Sequence, residues 1–272
     1  MTMPIDLVLV RHGQSEHNLA AHRARSGDES LYTAELRTRH DSQHRLTPKG
    51  RRQAVQAGDW MRAHDYPQFD RKYVSSYTRA METAGLLKLD GPEWMIDPLL
   101  REREWGELGN MTPDERSKHA EVSLRVHDTD PFYWVPPNGE SIAQVTIRLR
   151  SVLDTLHREC SEKKVVIVCH GEVMAAFRFI LERMTIERWT EFKGSTKPGD
   201  KIYNCQILHY TRKNPASGEL SPHLDWLSSI SPTDESNSSE GWTKIVRHRY
   251  TGEQLLQAAE SVTPLFPDQD GY

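Results

Sequence analysis

The chain has 272 residues, of which 27% are charged and 36% hydrophobic, and its formal net charge at pH 7 is −4. This length suits one large α/β domain or two small ones, and the charge gives no basic excess for nucleic acid or an anionic membrane. No apolar run is long enough to cross a bilayer, and the first residues lack a basic stretch followed by a cleavage site. We therefore expect a cytoplasmic protein that binds neither nucleic acid nor membranes.

Aliphatic strands alternate with amphipathic helices along the chain. In chain order we predict a strand at residues 5–10, helices at 47–64 and 78–88 on either side of a short strand at 72–75, a helix at 141–160, a strand at 165–169, a helix at 172–183, and late strands at 203–210 and 244–250. This alternation predicts a parallel or mostly parallel sheet with helices on both faces. We expect the late strands near an edge of that sheet.

Two segments fit this alternation poorly. Residues 22–46 are polar and basic without a clear period, and we expect them to form an insertion that walls a pocket. Residues 217–241 are rich in serine, proline and acidic residues, which predicts a mobile loop. Because no internal repeat or linker is present, we interpret residues 1–272 as a single domain with these two excursions.

The same junction occurs twice in the sequence. LVLVRHGQSEHN (residues 7–18) and VVIVCHGEVM (residues 165–174) each end an aliphatic strand in His-Gly. In an open α/β sheet the carboxyl ends of the strands line the ligand-binding crevice, so His12 and His170 can face each other there. The glycine after each histidine permits a tight turn, and the helix that follows points its amides toward the same crevice.

A third junction supplies an arginine. The segment KYVSSYTRAMETA is a strand, a Ser/Thr-rich turn and a helix, and it places Arg79 in the first helical turn. A cation there is unfavourable for the helix dipole unless an anion is shared between the guanidinium and the amides. Arg11, His12, Arg79 and His170 are thus predicted to converge as two fixed cations and two titratable imidazoles. Such a group suits a phosphoryl ligand.

Together these residues resemble the histidine phosphatase superfamily, which has the phosphoglycerate mutase-like fold. The resemblance extends in matching order over residues 5–210 and rests on four motifs: Arg11-His12-Gly13, Ser75/Ser76 with Arg79-Ala80 and Glu82-Thr83-Ala84, Glu102 with Gly106, and His170-Gly171. It implies a three-layer α/β/α sandwich with a mostly parallel central sheet. It also implies a phosphohistidine mechanism that requires no metal and no cofactor.

The resemblance also suggests roles for the histidines and arginines. A neutral ring nitrogen of His12 would attack phosphorus while a backbone carbonyl holds the other nitrogen. Arg11 and Arg79 would bind the non-bridging oxygens, and His170 would add a donor. Asn18 and Gly171 match positions that contribute to this pocket.

The segment LLREREWG contains two candidates for the proton donor. Glu102 matches the family's Glu-x-x-x-Gly spacing and is the preferred general acid, with Glu104 as the alternative. Arg103, which follows Glu102, is expected to touch the substrate. His17 lies five residues after His12 and is expected to point away from the site.

The sequence favours a phosphatase over a mutase. The aromatic Phe-Thr-Gly-Trp-type segment of glycolytic mutases is replaced here by SLYTAELRTRHDSQHRLTPKG. Those mutases also have a pair of arginines that grips the carboxylate of phosphoglycerate, and no adjacent arginines occur here between Glu107 and Gly139. PFYWVPPNGES instead resembles the substrate-side segment of broad-specificity phosphatases. We therefore expect a metal-independent hydrolase of a small phosphorylated metabolite. The alternatives are phosphoglycerate mutase-type transfer and a non-catalytic phospholigand-binding protein.

Three further points stay open. His40 and His44, with Asp41 between them, are spaced like a metal pair, which would suit a zinc hydrolase, but no other ligand cluster accompanies them. A second negative group on the substrate could bind a set of three arginines, which could equally form a solvated face: Arg37, Arg39 and Arg45. A homo-oligomer is possible, and nothing in the sequence decides it.

Overall fold

A seven-stranded sheet lies at the centre of the computed structural model, which describes residues 1–64, 66, 68–119 and 127–265. The strands are β1 (Asp6–Arg11), β2 (Arg71–Ser75), β3 (Trp94–Asp97), β4 (Lys164–Cys169), β5 (Ile207–Thr211), β6 (Trp226–Ile230) and β7 (Thr243–Lys244). Their spatial order is β3-β2-β4-β1-β5-β6-β7. The first four in this order are parallel, and β5, β6 and β7 extend the sheet in antiparallel pairs.

Helices cover both faces of the sheet. They are α1 (Glu16–Ala24), α2 (Ala34–Thr38), α3 (Pro48–Ala63), α4 (Thr78–Leu87), α5 (Pro113–His119), α6 (Ile142–Glu159), α7 (Gly171–Glu182), α8 (Ile186–Gly194) and α9 (Gly252–Glu260). The start of α3 agrees with the sequence, because Thr47 caps the helix by accepting from the amide of Gly50 and Pro48 follows it. The predicted three-layer α/β/α sandwich is confirmed.

Strand β1 shows why its sequence is aliphatic throughout. Val8 and Val10 pack in the core with α3 and α4, whereas Leu7 and Leu9 pack with α6 and α7. All four side chains are fully buried. A central strand that is covered on both faces needs apolar residues at every position, because successive side chains point to opposite faces.

The segment predicted as a mobile loop, residues 217–241, contains strand β6, so the prediction of a loop is wrong there. Two of the five residues of β6 are serines, Ser228 and Ser229, where the central strands have aliphatic residues. Ser229 is buried, and its hydroxyl accepts from the Gln206 side chain at 3.0 Å. A buried polar strand of this kind is stable because its polar groups are paired, which a hydropathy pattern does not show.

Two further strands differ from the predictions. Strand β3 was not predicted, since it has only four residues and Met95 and Ile96 on it are exposed. The late strand predicted at 244–250 is limited to β7 at residues 243–244, and the residues after it are largely exposed. Edge strands bury little side-chain area, so their sequences carry a weak signal.

Among the described residues, no helix is both long enough and apolar enough to span a bilayer. The three cysteines of the chain are buried and free: Cys160, Cys169 and Cys205.

Candidate active site

Three strand-to-helix junctions meet at one cavity. The carboxyl ends of β1 and β4 deliver His12 and His170, and the start of α4, after β2, delivers Arg79. The centroids of the two imidazole rings are 5.1 Å apart. A cavity of about 440 Å³ opens from this point, and its wall includes Arg11, His12 and Arg79. The structure therefore brings together the four residues that the sequence predicts to converge.

His12 is held as a neutral imidazole with one unprotonated nitrogen that can act as a base or nucleophile. Its side chain is only 1% exposed, and its Nδ1 lies 2.7 Å from the carbonyl oxygen of Gly13. Because a carbonyl can only accept, Nδ1 carries the proton and Nε2 keeps its lone pair. Burial, together with the positive charges of Arg79 and Arg11, holds the pKa of His12 well below its usual value.

Arg11 lies against the first turn of α7. Its Nη1 donates to the carbonyl of Ile202 at 2.6 Å, and its Nε is buried without a partner among the described residues. A Cβ at Gly171 would lie only 3.3 Å from this Nε. Glycine at the helix start thus allows the guanidinium and the helix amides to face the same point of the cavity.

Arg79 is aligned by a residue that sequence reasoning assigned only to the zinc alternative. Its Nη2 is 2.9 Å from Oδ2 of Asp41, its Nη1 donates to the Asp41 carbonyl at 2.6 Å, and its Nε donates to Nε2 of His12 at 3.3 Å. Burial opposes ionisation of Asp41. A hydrogen bond from His44 and the Arg79 guanidinium outweigh that penalty and hold the pKa of Asp41 well below its usual range. An acidic residue inside the basic segment 22–46 was the only sequence signal for this contact.

His170 lies directly after β4, with its ring beside that of His12. The side chain is fully buried, and its Nε2 lies 2.8 Å from the hydroxyl of Ser75. Its Nδ1 is buried without a partner among the described residues. Burial and the nearby Arg79 lower the pKa of His170 well below its usual value, so the ring is neutral at pH 7.

Glu102, the preferred candidate acid, lies in an environment that favours a proton. Burial and the neighbouring carboxylate of Glu172 raise the pKa of Glu102. Glu172 stays ionised because it pairs with Lys193 at 3.0 Å. Glu104 also lines the cavity, and its carboxylate accepts a hydrogen bond from the amide of Gly106 at 3.3 Å. Sequence reasoning missed Glu172, which follows the His-Gly motif directly.

Asn18 and Arg103 both line the cavity, and they differ in how far their hydrogen-bond donors are already used. The Oδ1 atom of Asn18 accepts from Asn204 at 3.1 Å, and its Nδ2 has no partner among the described residues. Arg103 donates to the carbonyl of Glu140 at 2.7 Å and stacks on Trp105 at 4.7 Å. Its guanidinium therefore mainly braces the wall of the cavity.

The expected orientation of His17 is wrong. Its side chain lines the cavity, and its ring stacks on His44 at 5.6 Å with an interplanar angle of 7°. The reason is the face that α1 presents. His17, Asn18, Ala21 and Arg25 follow one another at helical spacing along the cavity wall.

The three arginines considered for a second negative group face elsewhere. Each of them forms an ion pair outside the cavity: Arg37 with Glu115, Arg39 with Glu35 and Glu16, and Arg45 with Glu82. The segment 22–46 instead contributes Arg25 and Asp41 to the cavity, and α5 contributes Arg116. The predicted pocket-wall segment thus reaches the site through different residues.

The His40–His44 pair does not form a metal centre. His40 is hydrogen-bonded to Ser42 at 2.8 Å, and His44 is paired with Asp41 at 3.3 Å. In the described part of the chain, no group of three or more histidine, cysteine, aspartate or glutamate residues is placed to hold a metal ion. The zinc-hydrolase alternative therefore has no site in this part of the molecule.

Comparison with known proteins agrees with this geometry. Two mutases named 2,3-bisphosphoglycerate-dependent phosphoglycerate mutase are similar in sequence. The one from Methylorubrum extorquens is 31% identical over 186 residues, which cover 66% of this chain and 80% of the relative. The one from Azorhizobium caulinodans is 32% identical over 188 residues, with coverages of 66% and 83%.

Solved structures with other names share the fold. A mycobacterial glucosyl-3-phosphoglycerate phosphatase superposes with a TM-score of 0.57 at 24% identity and covers 75% of this chain and 90% of its own. A phosphoserine phosphatase from Entamoeba histolytica gives a TM-score of 0.59 at 20% identity, with coverages of 78% and 92%. The sequence pattern of the histidine phosphatase superfamily (branch 1) matches residues 7–199. The chain therefore belongs to the histidine phosphatase superfamily.

Proposed function

We propose that the protein is a metal-independent phosphomonoester hydrolase that acts through a phosphohistidine on His12. The observation that carries the proposal is the state of that side chain. The Gly13 carbonyl holds the proton on Nδ1, and the low pKa keeps Nε2 unprotonated at the head of the cavity. A neutral imidazole in this position can attack phosphorus and split a difficult displacement into two steps.

The surrounding donors match the charge that develops on a transferring phosphoryl group. The Nε of Arg79 donates to the His12 ring, the ring of His170 with its unpaired Nδ1 lies 5.1 Å from it, and Arg11, whose Nε is unpaired, lines the same cavity. Catalysis of phosphoryl transfer consists largely of such positioning and electrostatic stabilisation. A bound phosphate dianion would favour the protonated form of His170, which adds a charged donor where the free site has a neutral ring.

Glu102 is the proposed general acid and, in the second step, the general base. Its raised pKa keeps a proton available for the leaving alkoxide. After the alcohol leaves, the same carboxylate can accept a proton from the water that attacks the phosphohistidine. Glu104 is the second candidate, since it lines the same cavity.

The distribution of charge supports hydrolysis over mutase chemistry. A mutase must hold a bisphosphate with either of its phosphoryl groups at His12. Here two cations of the inner cavity are already paired with carboxylates, Arg79 with Asp41 and Lys193 with Glu172. These carboxylates reduce the positive charge that the inner end of the cavity offers to a bisphosphate. The names of the two sequence relatives nevertheless favour mutase-type transfer as the second candidate function.

One experiment separates these functions. A panel of phosphomonoesters that includes 3-phosphoglycerate is incubated with the protein, with and without 2,3-bisphosphoglycerate and with and without EDTA. For a metal-independent hydrolase, we expect inorganic phosphate to be released in the presence of EDTA and vanadate to inhibit its release. Conversion of 3-phosphoglycerate to 2-phosphoglycerate that depends on the bisphosphate would support the mutase instead. Binding without any turnover would support a non-catalytic protein.

A further inference from the structure

Two arginines on the outer wall of the cavity have no carboxylate partner. Arg25, which directly follows α1, and Arg116 on α5 both line the cavity, and neither forms an ion pair with a described residue. Neighbouring arginines differ in this respect, since Arg23 pairs with Asp28 and Arg37 pairs with Glu115. Two like charges that face one cavity without a counterion repel each other, and an anionic ligand would relieve that repulsion.

Arg116 is held in place by its neighbours, but not all of its hydrogen-bond donors have a partner. Its Nη2 donates to the carbonyl of Gly109 at 3.1 Å, and its guanidinium lies 5.2 Å from the ring centroid of Trp105. Its Nε is buried without a partner among the described residues. Burial lowers the pKa of Arg116, yet a guanidinium stays charged at neutral pH. The side chain is therefore a held cation whose hydrogen-bonding capacity is only partly used.

His17 lies on the same wall, and one of its ring nitrogens has no hydrogen-bond partner among the described residues. Its Nε2 is buried and unpaired among the described residues, and burial lowers the pKa of the ring to about 4. Within the described chain, eight buried side-chain polar atoms have no partner. Four of the eight belong to this one site: Arg11 Nε, His17 Nε2, Arg116 Nε and His170 Nδ1. Unpaired buried groups are costly, so their concentration here indicates a site built to bind a polar ligand.

We propose that His17, Arg25 and Arg116 form an outer subsite that binds a second anionic group on the substrate. The inference rests on the proposed function, because it assigns the phosphoryl group to His12 and the leaving group to the outer wall. The substrate class is then a small phosphomonoester that carries a carboxylate or a second phosphate group. Arginine is suited to either group, since its planar fork can donate two parallel hydrogen bonds.

Binding of phosphonates tests the subsite without requiring turnover. Phosphonoacetate, 3-phosphonopropionate and 4-phosphonobutyrate are each compared by calorimetry with the alkylphosphonate of the same length. A bisphosphonate of each length distinguishes a second phosphate from a carboxylate. We expect at least one doubly anionic compound to bind about tenfold more tightly than its alkyl counterpart, as one charged hydrogen-bonded contact allows.

Three variants locate the effect. We expect Arg116→Met and Arg25→Met each to reduce the preference for the doubly anionic compound by about threefold or more. Arg23→Met is the matched control, because it removes one charge from the same helix at a side chain that does not line the cavity. It should leave the preference unchanged. Arg25 is exposed, so its variant tests the proposal even where loss of Arg116 disturbs folding.

The possible failures are distinguishable. A preference that is absent in the unmodified protein at every length, or that survives both arginine substitutions, would overturn the subsite. Hydrolysis of p-nitrophenyl phosphate without any such preference would leave the proposed function standing alone. A preference that depends on Arg25 and Arg116, in a protein that hydrolyses no phosphomonoester, would support the subsite and refute the hydrolase.

Discussion

The two ends of the cavity are built in different ways. The inner end consists of Arg11, His12, Arg79 and His170, which stand at strand-to-helix junctions of the central sheet. The outer wall carries His17 on α1, Arg25 directly after α1, and Arg116 on α5. Both helices lie outside the main core clusters. The sheet positions the inner residues with little freedom, whereas peripheral helices can vary without disturbing it. The inner end therefore determines the chemistry, and the outer wall determines which molecule undergoes it.

This contrast predicts two kinds of variant. Substitutions at the inner end should lower turnover of every substrate, because all substrates share the phosphoryl group. Substitutions on the outer wall should change the preference among substrates.

His12→Ala should abolish turnover on all substrates. Brief reaction of the unmodified protein with ³²P-labelled substrate should trap label on the peptide LVRHGQSEHN. The bond to histidine is a phosphoramidate, which acid cleaves and alkali spares, so it is separable from a phosphoserine on Ser15. The variant should carry no label and should remain folded, as judged by circular dichroism.

His22→Ala is the control for this substitution, since His22 is exposed on α1 and does not line the cavity. It should keep both label and turnover. Label on a peptide that contains His170, or label that persists in His12→Ala, would mean that the roles of the two histidines are reversed.

Glu102→Gln should slow the hydrolysis of alkyl phosphates by about 10²–10⁴-fold. It should slow the hydrolysis of p-nitrophenyl phosphate much less, because a nitrophenolate needs no proton to leave. The pH profile gives a second readout. Glu102 acts in its protonated form and its pKa is raised, so kcat for alkyl phosphates should fall as pH rises through that pKa. The variant should lack this fall. Steady-state kinetics from pH 5 to 8 on both substrates measure it.

Glu104→Gln is the matched comparison, because Glu104 is the other glutamate that the sequence offers as an acid. A leaving-group-dependent loss in Glu104→Gln, with an equal loss on both substrates in Glu102→Gln, would move the acid role to Glu104.

His170→Ala should lower kcat by about 10²–10³-fold, the cost of removing one donor to a developing anion. Some phosphate binding should persist through Arg11 and Arg79. Rate measurements together with phosphate inhibition constants separate these effects. A variant that loses phosphate binding and turnover in equal proportion would assign His170 to ground-state binding alone.

Asp41→Asn should strengthen inhibition by inorganic phosphate by up to about tenfold, because the Asp41 carboxylate competes with an anion for Arg79. The amide keeps the shape of the side chain, so its hydrogen bonds to Arg79 can persist in part. Asp28→Asn provides the control, since that carboxylate is exposed and pairs with Arg23. Unchanged or weaker phosphate inhibition in Asp41→Asn would show that Asp41 only orients Arg79.

Much of the inner end could be predicted from the sequence. Local patterns carry its geometry: an aliphatic run followed by His-Gly marks the end of a buried parallel strand, and such strand ends share one edge of a sheet. His12 and His170 could therefore be placed together although they are far apart in the chain. The resemblance to the family also implied that a backbone carbonyl holds the second nitrogen of His12, and the Gly13 carbonyl is in that position.

The outer wall and the outlying strands could not be predicted in this way. The face that α1 presents to the cavity depends on how the helix packs, so His17 was assigned the wrong orientation. Arg37, Arg39 and Arg45 have the same charge as Arg25, and only the positions of Glu115, Glu35, Glu16 and Glu82 pair them away from the cavity. Strand β6 was not predicted because two of its five residues are serines. The buried hydroxyl of Ser229 is stable there because it accepts a hydrogen bond from Gln206.

The sequence alone was enough to predict the central strands of the sheet, the family resemblance and the residues around the phosphoryl group, since these depend on short-range patterns of hydropathy and turn formation. The tertiary structure was needed to show that Asp41 aligns Arg79, that burial and Glu172 raise the pKa of Glu102, and that Arg25 and Arg116 line the cavity without an ion pair to a described residue. Each of these depends on which charges from distant segments come within a few ångströms of one another. Coulombic and desolvation energies vary steeply over such distances, and no local pattern encodes them.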